Sequence, residues 1–246
     1  MNKVFSNNYP TINLYKNPFS KSELISQMIY GESFKIINNY SKWIRIKINE
    51  DGYVGYIKKK KFIDYLEPTH KVSVLSANIY KYSNFKKKIG KLSYVSKIKV
   101  DSIKSKFAKF QNKWIETKNI KPIKYKKKNV FKDIKIFKGV KYKWGGKTFN
   151  GIDCSALIQV CLNFNNIFCP RDTDQQVIFF KKNIKLNDMK KNDIIYWKGH
   201  VALALTNKKL IHAYGPRKKT IVMNISKTIK LIEKTTNLKI ISLKRV

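Results

Sequence analysis

Residues 43–57 contain the pattern that most restricts the fold of this chain. Trp43 to Ile48 alternates apolar and polar side chains with a period of two, Glu50-Asp51-Gly52 follows, and Tyr53 to Ile57 supplies a second extended run. Apolar residues at every second position turn one face of a strand toward a core. Because an Asp-Gly pair between two such runs favours a tight turn, the segment predicts an antiparallel hairpin.

Similar short runs on both sides of this hairpin predict two small all-β domains. Residues 12–15 and 34–37 read as further strands, and together with the hairpin they predict a small barrel in residues 1–67. Residues 70–123 repeat the theme more loosely, so we predict a second, diverged barrel in residues 68–125. The segment 67–70 is the predicted linker between the two.

The remainder, residues 126–246, mixes helical and extended patterns. A helix is predicted to open at Asp153 and a second one to cover residues 174–181, and strands are predicted at 193–197, 200–205 and 210–214. A helix followed by consecutive antiparallel strands is α+β order. The fold class is therefore multi-domain, with two small all-β barrels before an α+β domain.

The composition argues against several classes of protein. The formal net charge is +38, which suits a nucleic-acid binder, but only four of the 53 basic residues are arginine, the residue that reads bases and phosphates best: Arg45, Arg171, Arg217 and Arg245. Dispersed lysine of this kind indicates compositional drift, and no specific nucleic-acid partner is expected. Three cysteines without a CxxC pair disfavour a disulfide scaffold or a structural zinc site.

The sequence also gives expectations about location. No apolar run approaches the roughly 18–20 residues that span a bilayer, and residues 1–20 lack the apolar core of a secretory signal. We therefore expect no membrane span and a cytoplasmic location.

One cysteine and two histidines form the strongest chemical pattern. Cys154 follows Asp153, and His200 and His212 come later on two predicted strands. A thiol needs a general base and a group that orients the base, and these roles fall to His200 and His212. Because Asp153 would start the helix, the helix dipole is expected to lower the pKa of Cys154. The alternative is a buried structural cysteine, which is the interpretation we give Cys161 and Cys169.

The segment before Cys154 supplies two further candidates. Tyr142 can place a hydroxyl where an oxyanion develops, beside the backbone N–H of Cys154, and Trp144 can wall a substrate groove; packing in a core is the alternative for both. Gly145-Gly146 permits the tight turn that brings this segment to the site.

These residues stand in blocks whose order and spacing resemble the NlpC family of papain-like cysteine peptidases. The blocks are Tyr142-x-Trp144-Gly145-Gly146, Asp153-Cys154-Ser155, Pro170-Arg171-Asp172-Thr173-Asp174-Gln175-Gln176, Asp193-Ile194-Ile195-Tyr196-Trp197, Gly199-His200-Val201 and Ile211-His212-Ala213. The resemblance implies Cys154 as nucleophile, His200 as base and His212 as third member, without metal or cofactor. It also implies hydrolysis of the bond between γ-D-glutamate and a diamino acid of a murein peptide.

The two predicted barrels resemble bacterial SH3-like domains, and their combination with such a peptidase resembles a subgroup that trims free murein peptides. In that subgroup acidic groups between the first barrel and the catalytic domain bind the free amine of an N-terminal L-alanine. This implies substrate-binding roles for Asp153, Ser155 and Arg171 from the matching blocks, with Glu32 and Tyr53 as candidates from the barrel. A solvent-exposed turn residue is the alternative for Glu32, and a helix cap for Asp153.

The chain departs from the family pattern at two positions. Ala156 and Asn192 stand where the family usually has glycine, and Asn192 is expected to keep the left-handed turn that glycine would make there. Other functions stay open: a wall-binding module with an idle catalytic domain, or an amidase or acyltransferase on the same scaffold. The oligomeric state is also open, with a monomer as the simplest expectation.

Overall fold

The computed structural model describes residues 3–246, so residues 1–2 of the first predicted domain lie outside it. Short strands dominate, and the described chain has three α-helices: α1 (Cys154–Phe164), α2 (Thr173–Phe179) and α3 (Ile225–Thr236). The strands are β1 (Val4–Ser6), β2 (Thr11–Tyr15), β3 (Leu24–Ile29), β4 (Ser33–Asn39), β5 (Trp43–Ile48), β6 (Val54–Lys58), β7 (Ile63–Asp64), β8 (His70–Val72), β9 (Ser76–Tyr80), β10 (Lys88–Ser93), β11 (Lys97–Ile98), β12 (Ser102–Lys104), β13 (Phe107–Phe110), β14 (Lys113–Glu116), β15 (Ile120–Pro122), β16 (Lys147–Thr148), β17 (Gly151–Ile152), β18 (Lys182–Asn183), β19 (Ile194–Trp197), β20 (His200–Ala204), β21 (Lys209–Tyr214), β22 (Lys219–Asn224) and β23 (Ile240–Arg245).

The first β unit is one strongly bent antiparallel sheet with the strand order β3-β2-β6-β5-β4-β1-β7. The predicted hairpin is confirmed: β5 pairs with β6, and Gly52 takes a positive φ of 72° in the turn. Alternate residues of β5 point inward, and Ile46 and Ile48 are fully buried beside Phe34. The period-two pattern thus built the core of this unit.

The second β unit, residues 70–122, is also built from antiparallel strands. It contains a five-stranded sheet, β10-β9-β14-β13-β12, and a three-stranded sheet, β11-β8-β15. The sequence has extended patterns at residues 72–75, 77–80, 97–100, 114–117 and 120–123. Strands β8, β9, β11, β14 and β15 overlap these patterns, whereas β10, β12 and β13 were not predicted. Its assignment as a second SH3-like barrel stays a prediction.

The third unit sets α1 against a six-stranded antiparallel sheet of order β18-β23-β19-β20-β21-β22. Strands β19, β20 and β21 confirm the three predicted strands, and the predicted second helix is α2. Asn192 takes a φ of 75° just before β19, as expected for a residue replacing glycine in a left-handed turn. The sequence interpretation missed α3 and also the strands β22 and β23, which flank the predicted strands on opposite sides of the sheet.

The three units share one buried interior. Ile29 from β3 and Tyr94 and Val95 from the second unit pack into the same apolar cluster as α1. The ring of Tyr94 stacks on Phe164 at 4.9 Å between centroids. Helix α1 is therefore held from both β units, which fixes its first residue in space. Within residues 3–246, every helix is too short or too polar to cross a membrane.

Candidate active site

Helix α1 begins at Cys154 because Asp153 caps it. The Asp153 carboxylate accepts a hydrogen bond from the backbone N–H of Ala156 at 2.8 Å, and the backbone of Asp153 is extended. A carboxylate in this position satisfies an N–H group that the first helical turn leaves without a partner. The predicted cap is confirmed, and it sets the thiol at the first position of a buried helix.

His200 and His212 lie on the neighbouring antiparallel strands β20 and β21, as predicted. Their side chains share one face, and Nε2 of His200 lies 2.9 Å from Nδ1 of His212. The ring of His212 stacks on Tyr214, with centroids 4.5 Å apart and planes 12° apart. This stacking fixes the plane of His212 and leaves Nδ1 of His200 as the ring nitrogen without a histidine partner.

The thiol of Cys154, on α1, lies against the start of β20, the strand that carries His200. The backbone N–H groups of Val201 and Ser155 point at its sulfur, and Cys154 is 5% exposed. Helix α1 packs directly on β20 and β21. The sulfur of Cys154 therefore lies beside Val201, the residue that follows the base candidate His200 on β20.

The expected lowering of the Cys154 pKa is wrong. Burial and the neighbouring Asp153 charge raise the pKa of the thiol to about 11, although the N–H groups of Val201 and Ser155 oppose the shift. Removing a thiolate from water costs more than the helix start returns. Burial also lowers the pKa of His200 to about 4 and, with the charge of His200, the pKa of His212 to about 3. At neutral pH the thiol of Cys154 and the imidazole of His200 are therefore both uncharged.

Tyr142 lies close to the sulfur. Its backbone bridges to Ile152, two residues before Cys154, and its ring rests against Gly215. Burial, followed by the nearby Cys154 charge, raises the pKa of Tyr142 well above its ordinary value. The hydroxyl therefore keeps its proton and can donate a hydrogen bond.

Arg171 lies buried beside Asp153. It is 1% exposed, and its guanidinium donates to both carboxylate oxygens of Asp153, to Oγ of Ser155 at 2.9 Å and to Oγ of Ser26 at 3.0 Å. These hydrogen bonds engage the planar fork inside the protein, and its substrate-binding role stays a prediction. Arg171 holds the cap of α1 and ties it to β3 of the first unit.

Ser155 is likewise turned inward. Its hydroxyl donates to Asp153 at 3.2 Å and accepts from Arg171, and the residue is 5% exposed. Its hydroxyl therefore donates and accepts inside the protein, and a contact of Ser155 with substrate stays a prediction. Asp153 retains one open direction, on Oδ2, which accepts only from Arg171.

A cleft of about 560 Å³ opens beside His200, between the first β unit and the third. Tyr53 and Trp144 line it, in agreement with their predicted place, and so does Gly199. Tyr53 donates to Oδ2 of Asp172 at 3.0 Å, and Nε1 of Trp144 donates to Oε1 of Glu23 at 3.0 Å. Trp144 is 57% exposed, so it forms a wall rather than core.

Two family models match the chain. The model described as the NlpC/P60 family matches residues 139–236, and the one described as the bacterial dipeptidyl-peptidase Sh3 domain matches residues 14–62. Residues 139–236 form an NlpC/P60 domain. The chain is accordingly a cysteine peptidase, a class of hydrolase, with an SH3 domain before its catalytic domain.

Individual relatives agree with this assignment. The chain is 24% identical over 231 residues to a gamma-D-glutamyl-L-lysine dipeptidyl-peptidase of Bacillus subtilis, covering 83% of this chain and 77% of the relative. It is 34% identical over 87 residues to dipeptidyl-peptidase 6 of Lysinibacillus sphaericus, covering 35% and 32%. The crystal structure of an NlpC/P60 family protein from Bacillus cereus superposes with a TM-score of 0.83 at 19% identity, over 99% of both chains, and shows the same fold.

Glu32 lies at the junction of the SH3 domain and the NlpC/P60 domain, not in the cleft. It is 3% exposed, its Oε1 lies 2.6 Å from Nζ of Lys147, and its Oε2 accepts from the backbone N–H of Ile29 at 2.7 Å. Asp51 lies 3.9 Å from the same ammonium. Burial would lower the pKa of Lys147, but the charges of Glu32 and Asp51 outweigh it and raise the pKa. Lys147 engages Oε1 of Glu32 and the backbone N–H of Ile29 engages Oε2, so the carboxylate is used inside the protein. A contact of Glu32 with substrate stays a prediction.

The cleft contains three carboxylates that the sequence interpretation did not assign: Glu23, Asp172 and Asp174. Asp172 and Asp174 stand inside a block quoted for the NlpC/P60 resemblance, next to Arg171, so that block could have pointed to them. Glu23 comes directly before β3 without a motif, and only the packing of the SH3 domain on the NlpC/P60 domain reveals it. Lys16 lines the same cleft, 3.5 Å from Glu23.

Proposed function

We propose that this chain is a cysteine endopeptidase that hydrolyses the bond between γ-D-glutamate and a diamino acid in murein-derived peptides with a free N-terminal L-alanine. The observation that carries the proposal is the contact of His200 with His212, next to the Val201 N–H that points at the buried thiol of Cys154. A cleft that holds carboxylates reaches Gly199, the residue before His200. The name of the Bacillus subtilis relative, a gamma-D-glutamyl-L-lysine dipeptidyl-peptidase, supports the same bond.

In the first chemical step, Cys154 attacks the carbonyl carbon of γ-D-glutamate. Because the thiol and imidazole are both neutral at pH 7, His200 accepts the thiol proton as the carbon–sulfur bond forms. His212 keeps the ring of His200 oriented through the contact between Nε2 and Nδ1.

The attack places negative charge on the carbonyl oxygen. The hydroxyl of Tyr142, held protonated, and the backbone N–H of Cys154 are the donors we assign to this oxyanion. Collapse of the tetrahedral intermediate breaks the carbon–nitrogen bond, His200 gives its proton to the leaving amine of the diamino acid, and a thioester to Cys154 remains.

In the second step, water attacks the thioester. His200 takes a proton from the water, and a second tetrahedral intermediate forms at the same carbon. The carbon–sulfur bond then breaks as His200 returns the proton to the sulfur. The products are a γ-D-glutamate carboxylate and the restored thiol of Cys154. Every proton transfer in the cycle uses Nδ1 of the same histidine.

The cleft gives a basis for selecting a free amine. An ammonium group is best bound by carboxylates, and Glu23, Asp172 and Asp174 line the cleft in a chain with only 15 acidic residues. Tyr53 orients Asp172 through its hydrogen bond to Oδ2. Free peptides in the cytoplasm, rather than intact wall, are the substrate and location we propose, for a monomeric enzyme.

The test is hydrolysis of two matched peptides, L-Ala-γ-D-Glu-L-Lys with its amine free and the same peptide N-acetylated. Wild type is expected to cleave the free peptide alone, at the bond to lysine, and Cys154→Ala is expected to abolish cleavage. Cys161→Ala is the matched control, because Cys161 lies in the core away from the cleft. Equal cleavage of both peptides would contradict recognition of the free amine. The absence of cleavage of either peptide would contradict the proposed function.

A further inference from the structure

The side chain of Met223 on β22 faces the histidine pair from behind. Its Sδ lies 3.4 Å from Nε2 of His212, and His212 is fully buried. Within residues 3–246, this sulfur is the one hydrogen-bond partner of that nitrogen. No sequence motif marks Met223, which is eleven residues from His212 and reaches it through the pairing of β21 with β22.

A thioether accepts a hydrogen bond weakly and has no proton to give. Each neutral imidazole carries one proton, and the 2.9 Å contact between His200 and His212 holds one of them. Two arrangements are therefore possible, and they differ in what Nε2 of His212 presents to the sulfur.

In the first arrangement, His200 donates from Nε2 to Nδ1 of His212. The proton of His212 is then on Nε2 and points at Sδ of Met223, while Nδ1 of His200 is bare. A bare Nδ1 can take the proton of Cys154, so this arrangement is competent for attack.

In the second arrangement, His212 donates from Nδ1 to Nε2 of His200. The bare Nε2 of His212 then faces sulfur lone pairs in a buried site and lacks a donor, which costs free energy. The proton of His200 is on Nδ1 and blocks its use as a base. The second arrangement is therefore higher in free energy because of the contact with Met223, and in it His200 cannot act as a base.

We infer that Met223 is a positioning residue that fixes the tautomer of His212, and through it the tautomer in which His200 acts as base. The inference rests on the proposed function, since it concerns the same histidine pair. A series of hydrogen-bonding groups links Sδ of Met223, the two imidazoles and the thiol. The sulfur of Met223, at one end of the series, can only accept a hydrogen bond.

The tautomers are read by nuclear magnetic resonance of protein labelled with ¹⁵N in histidine, at pH 7 and without substrate. The chain has three histidines, so three ring spectra are expected; His70→Gln, His200→Asn and His212→Gln assign them. Wild type is expected to show the proton on Nε2 of both His200 and His212. A proton on Nδ1 of His212 in wild type would overturn the inference.

Met223→Leu removes the acceptor and keeps an apolar side chain of similar size. It is expected to add a population of His212 with the proton on Nδ1, and to slow alkylation of Cys154 and peptide turnover, as kcat, by between about twofold and tenfold. Met189→Leu is the matched control, because Met189 lies in the same apolar cluster as Met223 and is not a hydrogen-bond partner of the histidines. It is expected to leave spectra and rates unchanged.

The outcomes separate the two ideas. Loss of activity in Met223→Leu with unchanged tautomers would reduce Met223 to packing and overturn the inference. If wild type showed the expected tautomers and the alkylation rate fell in Met223→Leu, while no murein peptide was cleaved, the inference would stand and the proposed substrate would fall.

Discussion

The ammonium of Lys71, on β8 of the second β unit, donates a hydrogen bond to the carbonyl oxygen of Phe164, the last residue of α1. The same ammonium donates to Oδ1 of Asn166 at 3.1 Å. A cation at the C-terminal end of a helix is favourable, and here it comes from a different β unit. Helix α1 therefore carries the nucleophile candidate at one end and the attachment of the second unit at the other.

The lowered pKa of Lys71 predicts that the free energy of unfolding rises with pH. It is 1% exposed, and burial, with the charges of Lys97 and Lys126, lowers its pKa from 10.5 to about 8. Between those values the unfolded chain binds more protons than the folded one, so the free energy of unfolding rises as pH increases. Thermal unfolding of wild type and Lys71→Met at pH 7 and pH 9.5 measures it: the gain in wild type should exceed that in the variant. Equal gains would contradict the prediction.

The raised pKa of Cys154 predicts slow labelling at neutral pH. Because the thiolate fraction grows tenfold per pH unit below a pKa of about 11, alkylation by iodoacetamide should rise about tenfold per unit between pH 8 and 10. Cys154→Ala should show almost no labelling, since Cys161 and Cys169 are fully buried. A fast rate that is independent of pH between 6 and 8 would mean a preformed thiolate and contradict the neutral pair.

The buried pair of Glu32 and Lys147 predicts a large loss of stability when one partner is removed. Lys147→Met leaves the carboxylate of Glu32 buried without its cation, and such a loss costs roughly 3–5 kcal/mol. Urea unfolding should show this loss, and the double variant Glu32→Gln with Lys147→Met should recover part of it.

The kinetics of Glu32→Gln check whether Glu32 acts only in this buried ion pair. If Glu32 acts only in the ion pair, Glu32→Gln should lower stability without raising KM for the free-amine peptide. A rise in that KM in folded Glu32→Gln protein would place Glu32 in the substrate site.

The cleft carboxylates predict a specificity change. Glu23→Gln should lower kcat/KM for the free-amine peptide by roughly tenfold or more, because a charge-assisted hydrogen bond to the ammonium is lost. Glu233→Gln, an exposed glutamate on α3, is the control and should leave the rate unchanged. An equal effect of both substitutions would point to net charge rather than to a contact in the cleft.

Local sequence chemistry predicted several elements of this protein correctly. The hairpin of β5 and β6 follows from side-chain alternation and one Asp-Gly turn, and the start of α1 follows from Asp153 as a cap. These features are decided by residues within a few positions of each other. The elements that were missed, such as α3, are amphipathic segments without a motif, and no nearby residue marks them as part of the NlpC/P60 domain.

What the sequence determined by itself is the set of reactive groups and their order: Cys154 at a helix start and His200 and His212 on two adjacent strands. What only the tertiary structure decided is the environment of those groups. The pKa of Cys154 rises because the whole fold removes the thiol from water. The side chains of Arg171 and Glu32 hydrogen-bond to residues distant in the sequence. Met223 contacts His212 through strand pairing. Burial and long-range contacts depend on every packed element at once, and a local pattern carries no record of them.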